Sequence, residues 1–508
     1  MASVADQIVR ALAASGIRRV HAADGRTGLD DAIDGHTAVD WVRAGREESA
    51  SFAAAGDASV TGDLAACVGR FGESDDRMLD GLVDAQLNGV PVLALAIRAD
   101  GGEPRGSPDP AAARDSLDPL ADLRAFRLFA ERLSRPNDVL RVVTAAARAA
   151  VEECGVSVIV VDEAMLHEHC DAGRPMPVAA SRPIVRPREH DITAAAQLLG
   201  DARRVSIVAG AGAGGAHDEL VLLAATLRAP LAHTLRGKEH VEGDNPFDVG
   251  MVGPLSSGWA DDAVALADVV LLVGTDLRYP GPHSDDAAVI QIDLRGSRLG
   301  RRCPVDLGLA GTVLDTLHAL QPRLERRFDT AHLDHAVDGY RDARRADDTR
   351  ALAHGNSATA SAAAILNRLA ESDAVFVVDT GEDELAATRY LRMNGERRLI
   401  GSFTHGSAAG ALPLAAGAQS AHPDRQVIAL LGARGRAHLG EELPALERNG
   451  LPVKLITVAE PGDRALAVPA GVLGIRVEHP AALGDAVAEA VDYDGPAVVE
   501  LVRRPREA

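Results

Sequence analysis

Short, almost continuous apolar runs recur along the whole chain, and they restrict its fold more than any other feature. Val90–Ile97, Val156–Val161, Val205–Ala209, Val269–Val273, Val375–Asp379, Val427–Leu431 and Ala497–Leu501 are rich in Val, Ile, Leu and Ala. They are too short for buried helices, and they lack the polar alternation of a strand with one wet face, so they read as parallel strands covered on both faces. Val4–Ser15 and Arg46–Ala58 between them read as helices, with Ile17–His21 and Leu64–Val68 as further strands. Strands alternating with helices in this way predict doubly wound α/β architecture.

The pattern comes in three blocks, predicting domains over 1–170, 186–322 and 352–508, as the 508-residue length also suggests. A polar, Pro-bearing stretch, Asp171–Glu189, ends the first block. Val289–Ile292 continues the second, and the charged Arg323–Arg350, a helix with a solvated face, leads into the third. Val453–Val458 and Gly474–Val477 are further strands of the third block, and Gly101–Asp118, rich in Gly, Pro and Asp, reads as an exposed loop. Apolar residues at 46% suffice for such cores. A net charge of -21 with only 3% aromatics argues against nucleic-acid binding and against anionic membrane surfaces. No basic segment followed by an apolar one opens the chain and no window reaches the length of a membrane span, so a cytoplasmic protein is expected. Cys67, Cys154, Cys170 and Cys303 lack metal-site spacing and are expected to be reduced.

Several segments carry a resemblance. In the first block these are Arg46-Glu47-Glu48-Ser49-Ala50, Gly81-Leu82-Val83-Asp84-Ala85 and Gly89-Val90-Pro91-Val92-Leu93. The second has Thr234-Leu235-Arg236-Gly237-Lys238-Glu239-His240-Val241, Asp244–Met251 and Gly274-Thr275-Asp276. Arg389–Gly395 and Gly401–Ser407 belong to the third. In order and spacing they resemble the thiamine-diphosphate-dependent 2-oxo acid enzymes of the pyruvate oxidase type. That resemblance implies three α/β domains (pyrimidine-type, flavin-type and diphosphate-type), with thiamine diphosphate, Mg²⁺ and FAD as cofactors. It also implies oxidative decarboxylation of a 2-oxo acid and assembly as a homodimer or homotetramer. Glu47 matches the glutamate that activates the cofactor; a Glu on an amphipathic helix, taken alone, is a solvated surface residue.

The same resemblance exposes departures. The family's Gly-Asp-Gly and later Asn, which hold Mg²⁺ with hard oxygen ligands, fall on Gly432-Ala433-Arg434-Gly435 and on Ala459-Glu460, so only Glu460 remains as a substitute ligand. The large apolar residue that bends the cofactor is replaced in Gly406-Ser407-Ala408, and a Gly-Pro-Gly turn reads Gly72-Glu73-Ser74. About a helix's worth of covering residues is missing after Pro461. Arg434 and Arg436, where a strand passes into a helix, read either as direct anion ligands or as solvated side chains.

For FAD the resemblance nominates Met251, Val252, Gly253, Pro254, Gly274, Thr275, Asp276, Leu277 and Arg278, with Asp293 at a strand end placed like a nucleotide-binding acid. The glycine-rich Val208–Gly215 reads either as a phosphate turn or as a tight strand-helix connection. Three functions follow: a 2-oxo acid enzyme with an impaired thiamine site, a non-catalytic partner of an intact paralogue, or a flavoprotein taking another small anionic ligand in the thiamine cleft. The chain ends shortly after its last strand, so no membrane-engaging C-terminal segment is expected.

Overall fold

The computed structural model describes residues 2–23, 28–70, 77–98, 123, 128–171, 173–178, 184–277, 281, 283–352, 358–408 and 410–503. The Gly101–Asp118 loop, the Gly72-Glu73-Ser74 turn and Arg278 lie outside them. The chain forms two compact units, one of Met1–Arg182, Leu369–Glu384 and Ile400–Ala508, the other of Pro183–Arg368 and Leu385–Leu399.

One six-stranded sheet and most of another belong to the first unit. β1 (Ala2–Ser3) pairs antiparallel with β8 (His169–Cys170), apart from the sheets. One sheet uses β2 (Arg19–Ala23), β3 (Asp40–Ala44), β4 (Ala65–Arg70), β5 (Val92–Arg98), β6 (Phe129–Arg132) and β7 (Val156–Asp162), in the parallel order β3-β2-β4-β5-β7-β6. The second unit holds β9 (Val205–Ala209), β10 (Leu231–His233), β11 (Asp248–Met251), β12 (Val269–Val273), β13 (Ala288–Asp293) and β14 (Leu307–Ala310), in the order β11-β10-β9-β12-β13-β14. The last sheet has β15 (Val375–Val378), β16 (Arg398–Ile400), β17 (Val427–Leu431), β18 (Lys454–Ala459), β19 (Leu473–Val477) and β20 (Ala497–Val502), in the order β16-β15-β17-β18-β20-β19. The architecture is therefore three α/β sheets, as the apolar runs require. β9, β12 and β17 have the expected bounds, whereas the short strands β3, β10, β11, β14 and β16 carry no comparable apolar run. The charged stretch is helical only over Ala331–Leu352. Among the described residues no helix is long and apolar enough to cross a membrane, and all four cysteines are free.

Inside the first unit, the helix Glu47–Thr61 packs along the helix Ala411–Ala421 through backbone. A Cβ on Gly56 would stand 2.1 Å from the Leu414 carbonyl oxygen, and one on Gly417 only 1.8 Å from that of Ala53. Glu47–Thr61 is buried on nearly every side from Ser49 to Ala58, which explains its small-residue composition. Gly417→Ala inserts a methyl into backbone that cannot yield like a side-chain tip, so a loss of about 1–3 kcal/mol is expected in thermal or denaturant unfolding. An unchanged midpoint would contradict this helix pairing.

Candidate functional site

In open α/β sheets, ligands bind beyond the carboxyl ends of the strands where strand order reverses. In the last sheet this point lies between β15 and β17, and it brings together Asp379, Gly432 and the start of the helix Ala433–Arg448. Asp379 is buried; its Oδ1 accepts from the Thr380 N–H at 3.0 Å and its Oδ2 from the Gly432 N–H at 3.3 Å. A Cβ on Gly435 would lie 2.8 Å from Asp379 Oδ2, so the carboxylate sits against the backbone at the helix start. Buried Glu384 reaches the same place, with its Oε2 3.1 Å from where a Cβ on Gly432 would be. Burial, then the charges of Asp379 and Asp383, hold its carboxyl above the usual range.

The flanking residues decide what this end can hold. Ala433 offers no oxygen ligand. Glu460, just past β18, is exposed; its N–H donates to Asp463 Oδ2 at 3.0 Å and its Oε1 lies 3.4 Å from Arg503 Nε. Arg503 also donates to Asp383 Oδ2 at 2.7 Å, so a guanidinium links the two carboxylates. Arg436, read as an anion ligand, instead pairs with Glu500 at 2.6 Å and Asp463 at 3.3 Å, while Arg434 is exposed. Asp379, Glu382, Asp383, Glu384 and Glu460 thus outnumber Arg434 and Arg503. Among the described residues no three His, Cys, Asp or Glu side chains converge to hold a metal ion. This donor set does not fit Mg²⁺ bound to a diphosphate.

Glu47 begins its helix beside the end of β4, where its Oε1 accepts from the Arg70 N–H at 2.8 Å. Glu442, on the helix that starts after Gly432, accepts from Ser49 Oγ at 2.5 Å and the Gly45 N–H at 3.3 Å, tying that helix to the segment around Glu47. Gly406 has φ +85, Ala408 is half-buried, and Ser407 Oγ donates to Asp80 Oδ2 at 2.6 Å. Asp80 Oδ1 also lies 2.5 Å from His405 Nε2. The sequence reading missed Asp80, His405, Glu384 and Arg503; the acidic run Glu382-Asp383-Glu384 after a strand was the available signal.

In the second unit the reversal lies between β9 and β12, whose following loops hold Gly210–Gly215 and Gly274–Leu277. Gly212 and Gly274 press backbone to backbone: a Cβ on Gly274, at φ +61, would be 2.4 Å from the Gly212 carbonyl carbon. These two glycines therefore serve a tight connection first. Thr275 Oγ1 accepts from the Leu277 N–H at 3.1 Å, and Asp276 pairs with Arg301 and, at 3.4 Å, Arg302. Met251 ends β11, the Val252 N–H donates to the His233 carbonyl at 3.0 Å, the Gly253 N–H donates to Asp261 at 2.9 Å, and Pro254 is exposed. Asp293 is the open acceptor. Its Oδ1 takes the Arg295 N–H at 2.9 Å, its other oxygen has no hydrogen bond among the described residues, and burial raises its pKa. Such an acceptor suits a sugar hydroxyl. A groove of about 490 Å³, lined by His217, Leu222, Asp244 and Asn394 among others, shares no residue with these segments.

Three domain families match in chain order: the N-terminal thiamine pyrophosphate binding domain over residues 2–108, the central domain of thiamine pyrophosphate enzymes over 192–320, and their C-terminal binding domain over 379–462. The chain belongs to the thiamine pyrophosphate enzyme family. That membership implies thiamine diphosphate as the family's cofactor. Among similar proteins, an uncharacterized 42.6 kDa protein in an isoamylase 3′ region of Pseudomonas amyloderamosa is 37% identical over 346 residues, covering 67% of this chain and 86% of its own. A Bacillus subtilis protein described as thiamine pyrophosphate-containing, YdaP, is 26% identical over 497 residues, 91% of this chain and 84% of its own. Pyruvate oxidase of Lactiplantibacillus plantarum is 27% identical over 462 residues, 88% of this chain and 75% of its own.

Proposed function

We propose that this family member is a pyruvate-oxidase-like flavoprotein that keeps FAD in its central domain and has lost thiamine-dependent turnover of a 2-oxo acid, acting as a catalytically silent subunit beside a second copy or an intact relative. The observation that carries this reading is the acidic end of the thiamine cleft, where Asp379 and Glu384 crowd the helix start and Arg503 holds Glu460. Retained 2-oxo acid oxidation would need Glu460 to recruit Mg²⁺, and Arg503 competes for that carboxylate. The excess of carboxylates likewise disfavours another anionic ligand there.

FAD would lie across the ends of β9, β12 and β13, bordered by Met251–Pro254 and Gly274–Leu277, with Asp293 accepting from its adenosine half. It would supply redox capacity that this chain's side chains lack. The test is reconstitution with FAD followed by visible absorption. Asp293→Ala should weaken FAD by about 1.5–3 kcal/mol, about tenfold or more, while Glu47→Gln leaves occupancy unchanged. A protein that takes up no FAD, or whose flavin content responds only to Glu47→Gln, overturns the flavin assignment.

A further inference from the structure

Asparagine stands before glycine three times in the chain, at Asn88-Gly89, Asn394-Gly395 and Asn449-Gly450. In such a pair the glycine nitrogen can attack the asparagine side-chain amide carbon, because no Cβ shields it. All three glycines have positive φ, at +73, +92 and +61, so backbone conformation at the glycine does not tell the pairs apart. Hydrogen bonding does.

At Asn88 and Asn449 the reacting groups are occupied. The Gly89 N–H donates to the Ala85 carbonyl at 2.9 Å, and the Gly450 N–H to that of Glu447 at 3.1 Å. Asn88 Nδ2 donates to Asp84 Oδ2 at 3.1 Å, and Asn449 Nδ2 to the Arg43 and Ala445 carbonyls, both at 2.7 Å. Both asparagines are half-buried at the ends of helices. Asn394-Gly395 differs, for both of its residues are exposed and the Gly395 N–H donates to nothing among the described residues. Asn394 Oδ1 accepts from the N–H groups of Glu396 at 3.1 Å and Arg397 at 2.9 Å. Bonding to an N–H two residues ahead folds the side chain back over the Gly395 peptide group, bringing the amide carbon toward its attacker. The same two N–H groups stabilise the negative oxygen that develops as that carbon becomes tetrahedral.

We propose that Asn394 is a self-modification site, converting to aspartate and isoaspartate in the folded chain while Asn88 and Asn449 persist. The Gly395 nitrogen bonds to Asn394 Cγ and gives up its proton, the Cγ–Nδ2 bond breaks, and ammonia leaves with that proton. Water then opens the cyclic imide at either carbonyl, so no oxidant or co-reactant besides water is consumed. Aspartate adds a negative charge to the groove that Asn394 shares with Asp218 and Asp244. Isoaspartate lengthens the backbone where there is no room for it, since a Cβ on Gly243 would stand 2.5 Å from the Asn394 carbonyl carbon. The site depends on neither the flavin nor the thiamine assignment.

The test is timed incubation of the full chain at neutral and mildly alkaline pH, followed by peptide mapping in a mass spectrometer and by methyltransferase labelling of isoaspartate. Conversion at Asn394 is expected to be about tenfold or more faster than at Asn88 or Asn449, where hydrogen bonds must break first. It should quicken with pH, as the attacking nitrogen loses its proton more readily. In concentrated urea the three pairs should convert at similar rates, because only the fold distinguishes them. Asn394→Gln should remove the isoaspartate label from the folded chain. Equal conversion at all three pairs in the folded chain overturns the proposal, as does acid formed at Asn394 without isoaspartate, or an Asn394 lead that survives in urea.

Discussion

Titration with thiamine diphosphate and Mg²⁺ is expected to yield no saturable, Mg²⁺-dependent binding at concentrations up to about 1 mM, a ceiling equivalent to about 4 kcal/mol of affinity. The family's Asp is replaced by Ala433 and its Asn by Glu460, which Arg503 holds, and each charged contact contributes about 1.5–3 kcal/mol, so losing both removes about two to four decades. Repulsion adds to this. Asp379 and buried Glu384 stand at the helix start, where a diphosphate would otherwise find free N–H groups. The acidic turn also explains why one reversion should fail: Ala433→Asp with Glu460→Asn restores ligand chemistry but leaves Glu382, Asp383 and Glu384 in place. Binding is expected only when that pair is combined with Glu382→Gln, Asp383→Asn and Glu384→Gln. Tight Mg²⁺-dependent binding by the unaltered chain would refute the impaired site.

Glu242→Gln is expected to destabilise the second unit by about 3–5 kcal/mol, since it leaves a buried cation without its counter-ion. Glu242 and Lys238 are both almost fully buried at 2.7 Å, and Glu242 Oε2 also accepts from the Met393 N–H at 3.0 Å. The double change Lys238→Met, Glu242→Leu should recover most of the loss, because no unpaired charge then remains buried. A pH signature accompanies it. Burial, then Glu242's charge, pushes Asp248 up to about 7, while burial, then Lys238, pushes the neighbouring His233 down to about 4. Asp248 alone makes stability fall as pH rises from about 4 to 7, because the folded carboxyl keeps a proton that the unfolded one has lost. His233 alone makes stability rise from about pH 4 to 6.5, because only the unfolded ring is protonated there. The two offset each other in the unaltered protein. Removing the charge of Glu242 lowers Asp248 and His233 together, so the variant should gain stability between about pH 5 and 6.5 while the parent stays nearly flat. A parallel pair of unfolding curves across that window would contradict the coupling.

The buried sheets were legible because their signal is local. Val205–Ala209, Val269–Val273 and Val427–Leu431 are covered on both faces, so all their positions but Ser206 are apolar and no neighbour is needed to recognise them. Asp40–Ala44 at a sheet edge keeps polar positions and gives no such run. That Ala433 stands where the resembling family has an Asp was equally plain, since a fixed spacing from a recognised segment is a property of the chain alone.

Partners that lie far apart in sequence were not legible. Arg436 reads as a free cation at a helix start until folding brings Glu500 to it, 64 residues on, and Arg503 gives no hint that it will reach Asp383, 120 residues back. Glu242 looks like an ordinary helical surface acid until Arg344 and Arg392 close over it. Period and turn chemistry act over a few residues, so the sequence by itself determined the buried strands and the α/β pattern they build. Burial and ion pairing depend on which surfaces meet, so only the tertiary structure decided which charges neutralise each other.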